Sequence, residues 1–202
     1  MNIPSKYLEN AVDQLASLPG IGRRTALRLA LHLLKKTETE IDDFSKAFVD
    51  LKQKIKYCGN CGNISDDDLC FVCLNPNRDH KTICVVEDIR DIMAIESTGS
   101  YKGIYHVLGG LISPMDGIGP QDLNIESLID KISKGLTTEI IFALSPTMEG
   151  DTTNFYLFKK LQAFSPYITA LSRGVAVGSE LQYADELTLS RSIQQRQEFK
   201  MG

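Results

Sequence analysis

The sequence predicts an α+β chain of several modules: a small helical bundle, a cysteine-rich metal module, an α/β domain on a parallel sheet, and a C-terminal tail. Three observations carry that prediction. Apolar residues recur at helical spacing through the first 57 residues. Four of the five cysteines fall within sixteen residues. From Lys81 onward, apolar strand-like runs alternate with helical stretches, the pattern of parallel strands joined by right-handed helical crossovers. The expected boundaries are 1–57, 58–79, 80–175 and 176–202.

In the first module, Leu8, Val12, Leu15 and Ala16 form one helical stripe. Pro19 and Gly20 interrupt it. Ala26, Leu27, Leu29, Ala30, Leu33 and Leu34 give a second helix a broad apolar face, and Phe44, Ala47, Phe48, Leu51 and Ile55 mark a third. Three such helices can make a bundle, with a thin core for so few residues. The cysteine module has few large apolar residues, several turn formers (Gly59, Asn60, Gly62, Asn63) and three aspartates in a row at 66–68. It needs a staple to fold, and its core is expected to be separate from that of the α/β domain.

The α/β domain opens with residues 82–86, a continuous apolar run suited to a buried parallel strand. Further strands are expected at 104–108, 139–144 and 168–171. Helices are expected at 88–95, around Ile125, Leu128, Ile129 and Ile132, and at 152–164.

Charge narrows the function. The net charge of −4 argues against a protein that simply coats nucleic acid. Its distribution is uneven, with 10 Lys and Arg against 7 Asp and Glu over residues 1–57, and one Arg against four Asp over 58–80. A mildly basic first quarter on an acidic body suits local phosphate contact. No run of 18 apolar residues spans a membrane, and the first residues lack the apolar stretch of a secretory signal. A cytoplasmic protein is expected.

Cys58-x2-Cys61 and Cys70-x2-Cys73 are separated by eight residues. Tetrahedral zinc takes four such soft ligands converging on one point, and a two-residue spacer makes a tight knuckle that aims both sulfurs inward. Disulfides or a redox CxxC are the alternatives, but a polar, core-poor segment suits a metal that supplies folding energy. One closed, structural zinc per chain is expected. Cys84 lies in an apolar strand and reads as packing.

Leu18-Pro19-Gly20-Ile21-Gly22-Arg23-Arg24, between two helices, has the pattern of a helix-hairpin-helix motif. Gly20 and Gly22 allow backbone conformations closed to other residues. Their amides, with the free N–H groups of the next helix, can cradle a phosphate. Arg24 and Arg28 share one helix face, and Arg23 adds charge at the mouth. Contacts of this kind hold the nucleic-acid backbone without reading bases. A plain helix–turn–helix connection with solvated arginines is the alternative.

A third group is acidic. Glu87 ends the first strand of the α/β domain, and Glu149-Gly150-Asp151 follows the third. Both positions fall at carboxyl ends of parallel strands, where sites are built. Three carboxylates there can hold Mg²⁺ or cap helix N-termini. The pattern resembles a Toprim domain, the acidic metal site of type IA and type II topoisomerases and bacterial primases. Here the second element is Glu-x-Asp where that site usually has Asp-x-Asp, and no nucleophilic tyrosine has a supporting context. Of the histidines, His32 and His106 read as structural, and His80 lies beside a metal site already saturated by cysteine.

The order of these parts resembles the bacterial RecR family over nearly the whole chain. The resemblance rests on the glycine hairpin, the four cysteines, residues 83–87 and 105–110, Asp116-Gly117-Ile118-Gly119-Pro120, Pro146-Thr147-Met148-Glu149-Gly150, Val177-Gly178 and Tyr183-Ala184-Asp185. It implies a non-enzymatic recombination mediator that binds single- and double-stranded DNA without sequence specificity. It also implies action with RecO, or with RecF, to help RecA displace single-strand-binding protein. The resemblance puts Arg24 and Arg28 on DNA, where the hairpin reading adds Gly20, Gly22 and Arg23, zinc on the cysteines, and Glu87, Glu149 and Asp151 on a partner surface. It implies dimers or ring-like tetramers, with 176–202 serving oligomerisation. The rival is a Mg²⁺-dependent nuclease or primase using the same carboxylates.

Overall fold

The computed structural model describes residues 3–164, 166–196 and 198. It divides into two compact units, residues 1–55 and 56–202.

In the first unit, α1 (Lys6–Ala16) starts at Ser5, whose hydroxyl accepts a hydrogen bond from the Leu8 N–H. The chain turns through Gly20, which sits in the left-handed region at φ 78°, and enters α2 (Arg23–Leu33). Val12, Ala26 and Ala30 are buried between the two helices, with Leu8, Leu15, Ile21 and Leu27 packed around them. Two alanines four apart, Ala26 and Ala30, place methyl groups on the side of α2 that faces α1. A capping box between Thr37 and Glu40 starts α3 (Glu38–Lys54).

The expected three-helix bundle is corrected at this point. α3 buries no residue, and Phe44, Phe48, Val49 and Leu51 are exposed. Its periodicity is real, but periodicity reports an apolar face and not what covers it.

The second unit begins with a two-residue antiparallel pair, β1 (Lys56–Tyr57) and β2 (Ile64–Ser65). A single turn, α4 (Phe71–Leu74), follows. The sheet contains β3 (Asp79–Val86), β4 (Gly103–Val107), β5 (Glu139–Phe142) and β6 (Tyr167–Ala170), all parallel in the order β4-β3-β5-β6. Central β3 pairs Ile83 with Ile104 on one side and with Ile140 on the other. α5 (Ile89–Ser97), α6 (Ile125–Ser133) and α7 (Met148–Leu161) are the crossovers, and α8 (Glu186–Gln194) closes the described chain. Tyr105, Leu108, Leu128, Ile140, Leu157 and Leu161 are fully buried in its core.

The cysteine module is not a separate body. Cys58, Cys61, Cys70, Val72 and Cys73 belong to the same buried cluster as the sheet residues. The Val107 N–H at the end of β4 donates to the Cys61 carbonyl at 2.8 Å. The expectation of an independent core fails because the module is too small to bury its own sulfurs and uses the edge of the sheet to do so. Of the expected tail, residues 197 and 199–202 lie outside the described residues. Among the described residues, no helix is long and apolar enough to cross a membrane.

Candidate functional site

The four cysteines are brought together by two short turns. In the first, the Cys58 N–H donates to the Asn63 carbonyl at 2.7 Å and the Gly62 N–H to the Cys58 carbonyl at 2.9 Å. Gly62 has φ 75°, and a Cβ there would stand 3.3 Å from the Val107 carbonyl oxygen, so glycine is needed for the turn and for its approach to the sheet. In the second, Cys70 stands at the N-cap of α4 and Cys73 lies within that helix. The Gly59 N–H donates to the Asp68 carbonyl at 2.9 Å and joins the two halves.

All four Sγ atoms lie within 4.8 Å of one another, and all four cysteines are buried and free of disulfides. The Cys61 and Cys70 sulfurs are 3.5 Å apart, close to the edge of about 3.8 Å that four Zn–S bonds of 2.3 Å would make. Four thiols at these distances fit a structural zinc with every position filled by protein. Among the described residues, this is the one group of three or more His, Cys, Asp or Glu so arranged.

The glycine hairpin leaves the start of α2 open. Gly22 is its N-cap and has no side chain to accept from the first N–H groups, which remain available to an external oxygen. Arg24 and Arg28 are exposed and enter no ion pair among the described residues. With Thr25, Leu27, Leu31, His32 and Lys35 they line one open face of α2 and its C-terminal end. Arg23 differs: its guanidinium reaches back to Glu9 and Asp13 on α1, at 3.5 and 3.1 Å. His32, expected to be structural, is exposed on this face. Lys35 was not anticipated, although its spacing from Arg24 and Arg28 continues the same helical stripe.

At the carboxyl end of the sheet, Glu87 follows β3 and accepts from the Ser145 hydroxyl at 3.2 Å. Glu149 and Asp151 lie in the first turn of α7, not in a loop, because the Thr147 hydroxyl caps that helix by accepting from the Gly150 N–H at 3.1 Å. Gly150 has a steric reason: a Cβ there would stand 1.9 Å from the Ser145 carbonyl oxygen. Asp151 is already engaged. Arg173 donates to one of its oxygens, and Arg191 of α8 donates to the other at 3.3 Å. The Arg173 guanidinium, followed by Arg191, holds the Asp151 carboxyl below the usual carboxylate range. The two arginines had no local signal, standing 22 and 40 residues from their partner.

His106 is buried in β4, as its apolar surroundings imply, and its Nε2 donates to the Asn124 carbonyl at 2.8 Å. His80 is exposed.

Family models cover the chain in sequence: a RecR helix-hairpin-helix (residues 8–52), a RecR four-cysteine zinc finger domain (55–75), a Toprim domain (81–170) and a RecR C-terminal segment (174–197). The recombination protein RecR of Parabacteroides distasonis is 56% identical over 198 residues, covering 98% of this chain and 95% of that protein. The one from Flavobacterium johnsoniae is 56% identical over 200 residues, covering 99% and 97%. That of Porphyromonas gingivalis is 56% identical over 196 residues, covering 97% and 95%. Identity at this level across almost every residue is inherited, and the chain belongs to the RecR family of recombination proteins.

Proposed function

We propose that this chain is a non-enzymatic mediator of recombinational DNA repair. It binds single- and double-stranded DNA without reading sequence and, with RecO or RecF, promotes loading of RecA onto single-stranded DNA covered by single-strand-binding protein. The observation that carries the DNA part is the uncapped N-terminus of α2 beside Arg24 and Arg28, two guanidinium groups that enter no ion pair among the described residues. Gly20 and Gly22 shape the approach, and Arg23 braces α2 against α1 while adding charge at its mouth. A phosphate oxygen suits both the backbone donors and the arginines.

The carboxylates Glu87, Glu149 and Asp151 serve in this reading as a surface for a partner protein and not as a cutting site. Support comes from Asp151, whose two oxygens are occupied by Arg173 and Arg191. Support for self-association into a dimer or tetrameric ring comes from the uncovered apolar face of α3. Several weakly basic first units facing one lumen would sum their phosphate contacts, which answers the net negative charge. The place of work is the nucleoid of the bacterial cytoplasm.

The test is RecA loading onto single-stranded DNA coated with single-strand-binding protein, with RecO present and this chain added or withheld. Stimulation is expected from the wild type and not from the Arg24→Ala/Arg28→Ala double variant or from Glu149→Ala. Absence of stimulation with active partners, or Mg²⁺-dependent cleavage of labelled DNA abolished by Glu87→Ala, overturns the proposal.

A further inference from the structure

A zinc ion held by four thiolates carries two more negative charges than positive ones. Here that centre is buried in the core of the second unit. Burying such charge is costly unless hydrogen bonds and a cation compensate it. One chain of contacts leads from the sulfurs to a cation. Asn60, inside the first CxxC, donates from Nδ2 to Cys73 Sγ at 3.3 Å. The carbonyl oxygen of the same residue accepts from the Lys131 ammonium, which comes from α6, 71 residues away.

His106 completes the arrangement. Its Nε2 donates to the Asn124 carbonyl, so Nδ1 is the unprotonated nitrogen and faces the Lys131 ammonium at 3.4 Å. Burial, then the charge of Lys131, pushes His106 down to about 4. Of the two basic groups, Lys131 is the one that reaches the knuckle. Burial lowers Lys131 as well, and Cys61, Cys73 and Cys58 act in the opposite direction. The ammonium therefore bridges a neutral imidazole of β4 and a carbonyl of the metal knuckle.

We propose that Lys131 is the counter-cation of the zinc–thiolate centre, a positioning residue linked to the sulfurs through Asn60 and oriented by His106. The α/β core then supplies part of the metal affinity, although all four ligands lie outside it in sequence. Outer contacts of this kind are worth roughly 10- to 100-fold in metal affinity.

The experiment uses the zinc-loaded full-length chain, with zinc release to a chromogenic chelator followed in time and the thiolate-to-metal absorption of the Co²⁺-substituted protein recorded. Lys131→Met keeps length and removes charge, and Lys131→Arg restores charge. Zinc loss at least tenfold faster in Lys131→Met, with Lys131→Arg close to wild type, is the expected result. Asn60→Ala should release zinc several-fold faster and shift the Co²⁺ band. Equal acceleration in Lys131→Met and Lys131→Arg would mean that side-chain fit matters and charge does not, which overturns the proposal. So does wild-type release from a folded Lys131→Met. Should Lys131→Met fail to fold, Lys131→Arg and Asn60→Ala decide: fast release from the first, or unchanged release and spectrum in the second, overturns it.

Discussion

The helical hairpin and the cysteine module are both short and glycine-turned, yet they fold in opposite ways. The hairpin buries Val12, Ala26 and Ala30 between its own helices and belongs to a unit of its own. The cysteine module buries Cys58, Cys61, Cys70, Val72 and Cys73 in the same cluster as the sheet. Autonomy follows from where a segment finds partners as well as from its size. The hairpin finds methyl groups on a neighbouring helix, while the knuckle finds a strand end in Val107 and a lysine on α6.

The largest effect expected from this difference is that of metal removal. Since the cysteines share the core of the α/β unit, chelating zinc should lower the stability of residues 56–202 as a whole. Calorimetry should show that transition shift by many degrees while the helical signal of the first unit persists. Local loosening of residues 58–73 alone, seen by hydrogen exchange with the sheet still protected, would break the comparison.

Next in size is the half-buried contact between Arg78 and Glu96. It joins the exit of the cysteine module to α5, and Glu96 also accepts from Tyr105 at 2.6 Å. Glu96→Gln should cost about 2 kcal/mol at neutral pH by taking the charge partner from a half-buried guanidinium that still donates to the Tyr101 and Gly103 carbonyls. The Arg78 guanidinium holds the Glu96 carboxyl below its ordinary value of 4.5. Its contribution is therefore complete above that value and is lost as pH falls through the depressed folded one. Denaturant titrations should show less acid sensitivity in Glu96→Gln than in the wild type.

A comparable effect is expected from Val12→Ala, about 1–3 kcal/mol from a fully buried site. It should melt the hairpin earlier and leave zinc retention unchanged, which sharpens the separation of the two units. Smallest in stability is Arg24→Ala/Arg28→Ala, which touches exposed side chains and should leave the melting temperature within experimental scatter. Its effect belongs to binding: the slope of log affinity against log salt should fall by about 2, equally for unrelated DNA sequences.

The cysteine centre was fully legible in the sequence because its ligands are local and their spacing is itself the geometry. The strands were legible too, since runs such as Thr82 to Val86 are apolar on both faces. Polar Asp79, His80 and Lys81 hid the first residues of β3. The start of α7 was misread because Thr147 and Gly150 look like loop residues until one is seen to cap the helix and the other to pass a carbonyl. α3 advertised a bundle through an apolar stripe that no described residue of its unit buries. Lys131, Arg173 and Arg191 were invisible for one physical reason: each acts on a group that only the folded chain brings near, at separations of 71, 22 and 40 residues.

The bond from Val107 to Cys61 and that from Lys131 to Asn60 have a consequence in time. On the ribosome the four thiols emerge well before β4 and α6. At about 5–20 residues per second, roughly 3–12 s separate Cys73 from Lys131. During that interval the knuckle stands on a nascent chain without the strand and the ammonium that later enclose it, while the hairpin upstream already has all its partners. The sulfurs therefore gain their enclosure last, when the sheet and α6 close over them.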